Sequence, residues 1–285
     1  MWIAIIVIFV AVLGWFLWYS DNCIVTSKHQ YKSDKISENF ENFKIVQVSD
    51  LHNKRFGKGQ QKLISKIKAE NPDVIFVTGD MIDRRRTNLE IAMEFVEKAV
   101  EFSTVFYVCG NHEAKFGIYE EIKPLLKKAG VVVLDKATFV IEKAGEKIQI
   151  TGFPDPWEND DFYERAEDFD DREMMKYCKN LEKSNLNILL MHRAELAETY
   201  AKTGVDLAFC GHAHGGQFQI PIIKRGILSP HQGFLPKYAS GTHKIGKTTV
   251  YISRGLGNSR FPIRLFNRPE IVSVTLNVTS KTENK

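Results

Sequence analysis

Carboxylate, amide and imidazole groups crowd into five short stretches of the chain: Asp50-Leu-His52, Gly79-Asp80-Met-Ile-Asp83, Gly110-Asn111-His112-Glu113, Met191-His192 and Gly211-His212-Ala-His214. Of the chain's 8 histidines, His52, His112, His192, His212 and His214 fall in these stretches. Oxygen and nitrogen donors without a thiolate suit Mn²⁺, Fe or Zn²⁺ and argue against a thiolate-rich structural zinc site. The seven candidate ligands in these stretches exceed what one ion needs, so a bridged pair of divalent ions is expected. A carboxylate between two cations about 3.5–4 Å apart holds a bridging hydroxide and clamps both the attacking and the leaving oxygen. Two cations also offset the charge that a phosphate develops in its transition state.

Each motif alone has a plainer reading. Asp-x-His is commonly a solvated turn, Gly-Asp after a strand a helix N-cap, and Gly-Asn-His a left-handed turn with a surface histidine. His192 alone reads as an ordinary hydrogen-bonded histidine. The alternate histidines of Gly-His-Ala-His are the most pointed single signal. What carries the inference is shared position, because each motif follows an apolar run that has the character of a buried strand.

Those runs are Phe43–Val48, Val74–Val77, Val105–Val108, Ile188–Met191 and Leu207–Cys210. Between the early ones lie helical patterns: Leu63, Ile64 and Ile67, closed by Asn71-Pro72; Ile91, Phe95, Val96 and Ala99; and a stretch from Ile118 to Leu126. Val131–Leu134, Phe139–Ile141, Ile148–Ile150, Thr249–Ile252 and Ile271–Leu276 read as further strands. Strand–helix alternation followed by more strands predicts a layered α/β domain with mixed sheets. The ends of such strands are where ligand sites of open α/β sheets gather. The acidic, aromatic segment 154–171 reads as an exposed loop or lid.

Composition sets the surroundings. With 44% hydrophobic and 26% charged residues the chain is globular, and its net charge of +4 is spread among acidic residues. No basic stripe tracks a phosphate backbone, so a nucleic-acid partner is not expected. Cys23, Cys109, Cys178 and Cys210 form no Cys-x-x-Cys pair, and Cys109 and Cys210 end apolar runs as small buried hydrophobes.

Residues 2–19 carry no charge. Eighteen residues at ~1.5 Å each make roughly 27 Å, close to the hydrocarbon thickness of a bilayer. Trp15, Trp18 and Tyr19 cluster at one end like an interfacial belt. No Lys/Arg n-region and no small-x-small cleavage site accompany the run, which favours an uncleaved single-pass anchor over a signal peptide. Lys28, Lys32 and Lys35 after the anchor lean toward a cytoplasmic catalytic domain. The expected organisation is an anchor over 1–20, a linker over 21–42 that partly joins the domain, a catalytic domain over 43–278 and a polar tail over 279–285.

The five motifs, in this order, resemble those of the calcineurin-like metallophosphoesterases. Arg254-Gly-Leu-Gly-Asn258 and Asn267-Arg-Pro-Glu270 are similar to the membrane-associated bacterial phosphodiesterase branch of that family. The resemblance implies a four-layer sandwich of two mixed sheets flanked by helices. It also implies ligand roles: Asp50, His52 and His214 on one metal, Asn111, His192 and His212 on the second, and Asp80 bridging. By the same resemblance His112 contacts the phosphate and protonates or stabilises the leaving oxygen, and Asp83 orients His112. Mn²⁺ is the expected metal, with Fe or Zn²⁺ as alternatives.

The expected activity is hydrolysis of a phosphodiester or pyrophosphate on a membrane-proximal or lipid-linked substrate. The alternatives are a phosphomonoesterase for a soluble substrate and a non-catalytic metal-binding membrane protein. Several neighbours keep two readings: Arg55 as a phosphate contact or a solvated loop residue, Arg254 and Asn258 as site residues or a tight turn, and Arg84–Arg86 as a solvated helix start or a headgroup contact. Gln217 is a candidate for support of the last motif.

Overall fold

The computed structural model describes residues 1–115, 117–156, 169–221, 225–258 and 261–279. Helix α1 (Trp2–Asn22) leads into strand β1 (Val25–Ser33). There follow β2 (Phe43–Val48), α2 (Gln61–Lys68), β3 (Val74–Thr78), α3 (Leu89–Val100), β4 (Thr104–Val108), α4 (Ile118–Lys128) and β5 (Val132–Val133). A second run comprises β6 (Ala137–Lys143), β7 (Glu146–Gly152), α5 (Arg172–Lys179), β8 (Leu186–Arg193), α6 (Ala197–Lys202) and β9 (Leu207–Gly211). Two short ribbons come next: β10 (Gln219–Ile220) with β11 (Arg225–Gly226), and β12 (Leu228–Ser229) with β13 (Gly233–Phe234). The chain closes with β14 (Gly241–Ile245), β15 (Thr248–Ile252) and β16 (Glu270–Val278).

These strands form two six-stranded sheets, ordered β1-β16-β2-β3-β4-β5 and β14-β15-β9-β8-β7-β6. Both are mixed: β2, β3, β4 and β5 run parallel, whereas β16 lies antiparallel to β2. The apolar runs make central strands because both their faces are covered. In β3, Val74 and Phe76 point between the sheets while Ile75 and Val77 point at α2–α4. In β9, Leu207 and Phe209 face between the sheets while Ala208 and Cys210 face the α5–α6 side. The result is four layers, helix–sheet–sheet–helix, as expected.

Phe76 sits at the middle of the seam, its ring edge-on to Phe106 (5.8 Å) and to Phe209 of the opposite sheet (5.1 Å). Nearer the site, buried Gln47 of β2 ties the sheets together, donating to Thr78 Oγ1 (2.8 Å) and to the Cys210 carbonyl (2.9 Å).

The structure differs from the sequence expectation in four places. The segment 21–42 is not only a linker, because β1 pairs in parallel with β16 over 9 residues and Phe40 is buried between the sheets. The apolar helix runs on to Asn22, and its last turn is docked on the domain, with Ser20 buried. His192 lies inside β8 rather than beyond it, at a break in register between Leu190 and Arg193. Of the expected lid 154–171, residues 157–168 lie outside the described residues, but Asp155 is buried rather than exposed. Most of the polar tail, 280–285, is also outside them.

Phe76→Ala removes a ring clamped between the two sheets. We expect it to cost about 3–5 kcal/mol in urea denaturation of the detergent-solubilised chain; a loss below about 1 kcal/mol would mean that the seam closes without it.

Candidate metal centre

Both sheets deliver their chemistry to one edge. The turns after β2, β3 and β4 carry Asp50 and His52, Asp80 and Asp83, and Asn111 and His112; the second sheet supplies His192, His212 and His214. All nine are buried. Asp50, His52, Asp80, His212 and His214 have positive φ, a left-handed backbone that non-glycine residues seldom adopt. Such strain survives only where surrounding contacts over-determine it. Here they do: Asp50 N–H donates to the Gly79 carbonyl (3.0 Å), His52 N–H to the Asp80 carbonyl (3.0 Å), and His212 N–H to Asp50 Oδ1 (3.1 Å). Two glycines admit the carboxylates. A Cβ at Gly110 would lie 2.3 Å from Asp80 Oδ1, and one at Gly211 would lie 2.3 Å from Asp50 Oδ2.

The ring nitrogens converge in two neighbouring groups. In one, His52 Nε2 lies 3.1 Å from His214 Nε2, which is 3.4 Å from Asp50 Oδ1. In the other, His192 Nε2 lies 3.1 Å from Asn111 Oδ1 and 3.2 Å from His212 Nδ1. Asp80 Oδ2 touches both, 3.6 Å from His52 Nε2 and 3.2 Å from His192 Nε2. Asp50–His52–His214 and Asp80–His192–His212 each bring their donor atoms within 4.8 Å of one another.

The electrostatics fit divalent cations. Burial pushes the imidazoles of His52, His212 and His214 down, so they are neutral and keep a lone pair. Burial also pushes the Asp50 carboxyl up against the pull of His192, with the charge of Asp80 adding to the rise. Burial works against ionisation of Asp80 too, but the adjacent His192 and His112 outweigh it and hold that carboxyl well below the usual carboxylate range. Burial would make His192 less basic, but Asp80 and Asp50 overcome it and raise the imidazole to about 10. His192 Nδ1–H donates to the Thr78 carbonyl (2.7 Å), which turns Nε2 toward the cluster.

His112 stands at the edge of the cluster, Nε2 4.0 Å from Asp80 Oδ2. Its Nδ1 accepts the backbone N–H of Arg84 (3.1 Å), so the neutral ring carries its proton on Nε2. Burial brings its pKa down to about 3 against the attraction of Asp80. Asp83 lies 3.7 Å from Nδ1, beyond hydrogen-bond length, and is occupied by Arg85 through Nε (3.1 Å) and Nη2 (3.0 Å). The expected orienting bond from Asp83 is therefore replaced by the Arg84 amide.

Other neighbours of the motifs resolve differently. Arg55 is exposed and paired with Glu94 (2.9 Å). Arg254 pairs with Glu270 (2.9 Å), while Asn258 accepts from Arg264 Nε (3.0 Å). Gln217 is buried, and its carbonyl accepts from Asn267 Nδ2 (3.0 Å).

Several residues support the cluster in ways that the motifs do not assign. Buried Glu113 accepts three backbone N–H groups, from Asp80 (2.8 Å), Ile82 (3.1 Å) and Gly110 (3.0 Å), and so locks two ligand turns together. Arg264, fully buried, reaches His214 Nδ1 (3.4 Å). Glu195 Oε1 lies 3.7 Å from His212 Nε2, and the His231 ring lies tilted against that of His212 (centroids 5.3 Å, 34° between planes). Arg193 grips Asp155 through Nε (2.7 Å) and Nη2 (3.0 Å) just behind. The Gly-Asn-His-Glu spelling names Glu113, but its role depends on β3 and β4 lying side by side.

A calcineurin-like phosphoesterase family profile matches residues 43–216. The chain is 29% identical over 272 residues to the uncharacterized metallophosphoesterase YkuE of Bacillus subtilis, covering 94% of this chain and 90% of that protein. It is 28% identical over 244 residues to phosphodiesterase YaeI of Escherichia coli, covering 82% of each. It is 25% identical over 252 residues to a transmembrane protein with metallophosphoesterase domain of Danio rerio, covering 85% of this chain and 55% of that one. The chain belongs to the calcineurin-like phosphoesterases. It is a metal-dependent phosphoric ester hydrolase.

Two outcomes follow from the cluster. Glu113→Gln puts an amide NH₂ against backbone donors and is expected to cost about 2–4 kcal/mol, because one or more buried N–H groups lose their acceptor; an unchanged unfolding midpoint would remove Glu113 from its bracing role. His192, raised to about 10, is protonated at neutral pH and must shed that proton to offer Nε2 to a metal. Metal uptake should therefore release protons and tighten as pH rises toward that value. Calorimetric titration of Mn²⁺ in buffers of different ionisation enthalpy should give buffer-dependent heats, and identical heats would contradict the assignment.

Proposed function

We propose that the chain is a two-metal phosphodiesterase held at a membrane by α1. The observation that carries this reading is the position of Asp80, whose Oδ2 lies within 4 Å of His52, His112 and His192 at once. A carboxylate shared in this way suits a bridge between one ion held by Asp50, His52 and His214 and another held by Asn111, His192 and His212. Mn²⁺ is our first choice for both, with Fe or Zn²⁺ compatible with the same donors. When bound, such a pair supplies Lewis acidity that activates water and offsets phosphate charge.

The protein's own contribution is order. Burial keeps the imidazoles of His52, His212 and His214 neutral, and Glu113 with the strained turns fixes the ligands before substrate arrives, so little reorganisation is left for the reaction. His112 presents Nε2–H beside Asp80, where it would donate to the leaving oxygen as the ester bond to phosphorus breaks. Its neutral form suits hydrogen-bond stabilisation better than full proton transfer, because loss of the Nε2 proton would leave an imidazolate. Asp83, although not hydrogen-bonded to the ring, adds negative charge on its Nδ1 side.

Diester preference is supported by the relative named a phosphodiesterase. Membrane attachment is supported by α1, which is long and apolar enough to cross a bilayer and is only 6% buried, and by the relative named a transmembrane protein. A lipid-linked or membrane-proximal phosphoester is the substrate class that such confinement suits. Lys28, Lys32 and Lys35 favour a cytoplasmic catalytic domain.

The test is turnover of bis-p-nitrophenyl phosphate and p-nitrophenyl phosphate by the Mn²⁺-loaded full chain in detergent. Diester cleavage is expected, with Asp80→Asn removing metal-dependent turnover and His112→Ala lowering kcat by about 10²–10³-fold at little cost in KM. Turnover of the monoester alone would shift the function to a phosphomonoesterase, and an undiminished kcat in His112→Ala would remove that residue from the mechanism.

A further inference from the structure

The end of α1 is tied to the metal centre by a short chain of polar contacts. Asp21 Oδ1 accepts from Asn258 Nδ2 (2.7 Å), Asn258 Oδ1 accepts from Arg264 Nε (3.0 Å), and Arg264 Nη2 stands 3.4 Å from His214 Nδ1. Lys54, two residues beyond His52, is also paired with Asp21 (3.4 Å). Arg268 holds the same helix end, with its guanidinium 4.7 Å from the Tyr19 ring centroid and its Nε donating to the Cys23 carbonyl (3.1 Å). The helix therefore meets the domain on the side that carries the metal ligands.

The same segment also carries exposed apolar side chains, and the ring of one of them, Phe261, is edge-on to Phe218 (centroids 5.7 Å). Phe261, Ile263 and Phe266 are exposed, Phe266 by 53%. Phe266 has φ +54, an unusual backbone for a bulky side chain. Its ring packs on Phe16 of α1 (centroids 5.3 Å). Phe16 lies six residues before the helix end at Asn22, or roughly 9 Å back along the axis at ~1.5 Å per residue. That is the level of Trp15, Trp18 and Tyr19, the aromatic belt that marks a bilayer interface. Thus Phe266 stands at the depth of the headgroup–acyl boundary, where apolar side chains of peripheral segments insert by ~5–10 Å.

We propose that the lipid bilayer crossed by α1 is also the partner of this apolar face, with Phe261, Ile263 and Phe266 seated in its surface. The inference rests on the membrane attachment proposed above and deepens it. Docked on two sides, by α1 and by these side chains, the domain holds His214 and its neighbours close to the headgroup layer. A phosphoester carried by a membrane lipid then reaches the site by lateral diffusion, without leaving the bilayer.

The experiment uses the full chain in bilayer discs of phosphatidylcholine with a minority of phosphatidylglycerol. An environment-sensitive fluorophore is placed on Ile263→Cys or Phe266→Cys in a Cys23→Ser background, and nitroxide-labelled lipids are the quencher. Labels at 263 and 266 should be quenched, whereas one at the exposed Lys247→Cys should not. Equal quenching at 247, or none at 263 and 266, overturns the proposal. A second arm compares the unsubstituted chain with Phe261→Asp/Phe266→Asp on phosphatidyl-p-nitrophenol in the discs and on soluble bis-p-nitrophenyl phosphate. Loss of at least about tenfold on the lipid diester alone, from lost local concentration, is expected. Equal losses on both substrates would reduce the side chains to a structural role and overturn the docking. Should the unsubstituted chain cleave neither diester, the phosphodiesterase reading fails while quenching still decides the docking.

Discussion

Asp50 and Asp80 are two carboxylates buried at the junction of two sheets, and their repulsion is the problem around which this fold is organised. An isolated buried carboxylate is expensive, and two side by side are worse unless cations or hydrogen bonds offset them. The structure surrounds them with imidazoles and backbone N–H groups. His212 N–H serves Asp50, and His112 N–H serves Asp80 at 2.8 Å. Sheets that ended elsewhere would leave these charges unsatisfied. The requirement for cations is thus built into the same contacts that close the two sheets on each other.

That requirement explains where the backbone is strained. Asp50, His52 and Asp80 from the first sheet and His212 and His214 from the second all take left-handed conformations. Short turns with positive φ point a side chain back over the strand end instead of out to solvent. Their cost is met by rigid surroundings: the apolar seam of Phe76, Phe106 and Phe209, the Gln47 cross-tie, and the three amides gathered by Glu113. Burial pushes Glu113 up to about 7, with Asp80 adding to the rise, and the amides oppose it. The brace is itself an acid in the same crowded electrostatic field, and it is stable there because its oxygens are directed at backbone donors.

The readable part of the sequence was the part with two buried faces. The runs Val74–Val77 of β3 and Leu207–Cys210 of β9 are apolar because alternate residues meet different cores, and such runs are visible without knowing their partners. At β1 only the β-branched start, Ile24-Val25-Thr26, has the character of a strand. Its Lys28, His29, Gln30 and Lys32 give an edge pattern, and the decision to pair it rests with β16 at the far end of the chain. Asp155 looked like part of an acidic loop, because only the fold reveals Arg193 beside it. The motif spellings single out side chains that the fold does gather at one edge. They could not foretell that Arg84 N–H, rather than the Asp83 carboxylate, bonds His112, since that depends on a backbone path through the turn after β3. Arg264 carried no signal at all, as it lies 50 residues beyond His214 in sequence.

The junction between α1 and the domain decides what kind of tether this is. A flexible linker of some twenty residues would let the domain wander tens of ångströms, since end-to-end distance grows as about 5–6 Å × √n. Here the chain passes from Asn22 to a strand starting at Val25, and Ser20 and Ile24 are buried on the way. Asp21, Asn258, Arg268 and Tyr19 leave the helix end little rotational freedom. With α1 in a bilayer, as proposed, the catalytic edge is confined to a narrow range of heights and tilts above the membrane. On that proposal, a substrate presented at a fixed depth in the bilayer would meet the site more readily than one arriving from solution. The ordering entropy of that encounter is then met in folding, before any substrate binds.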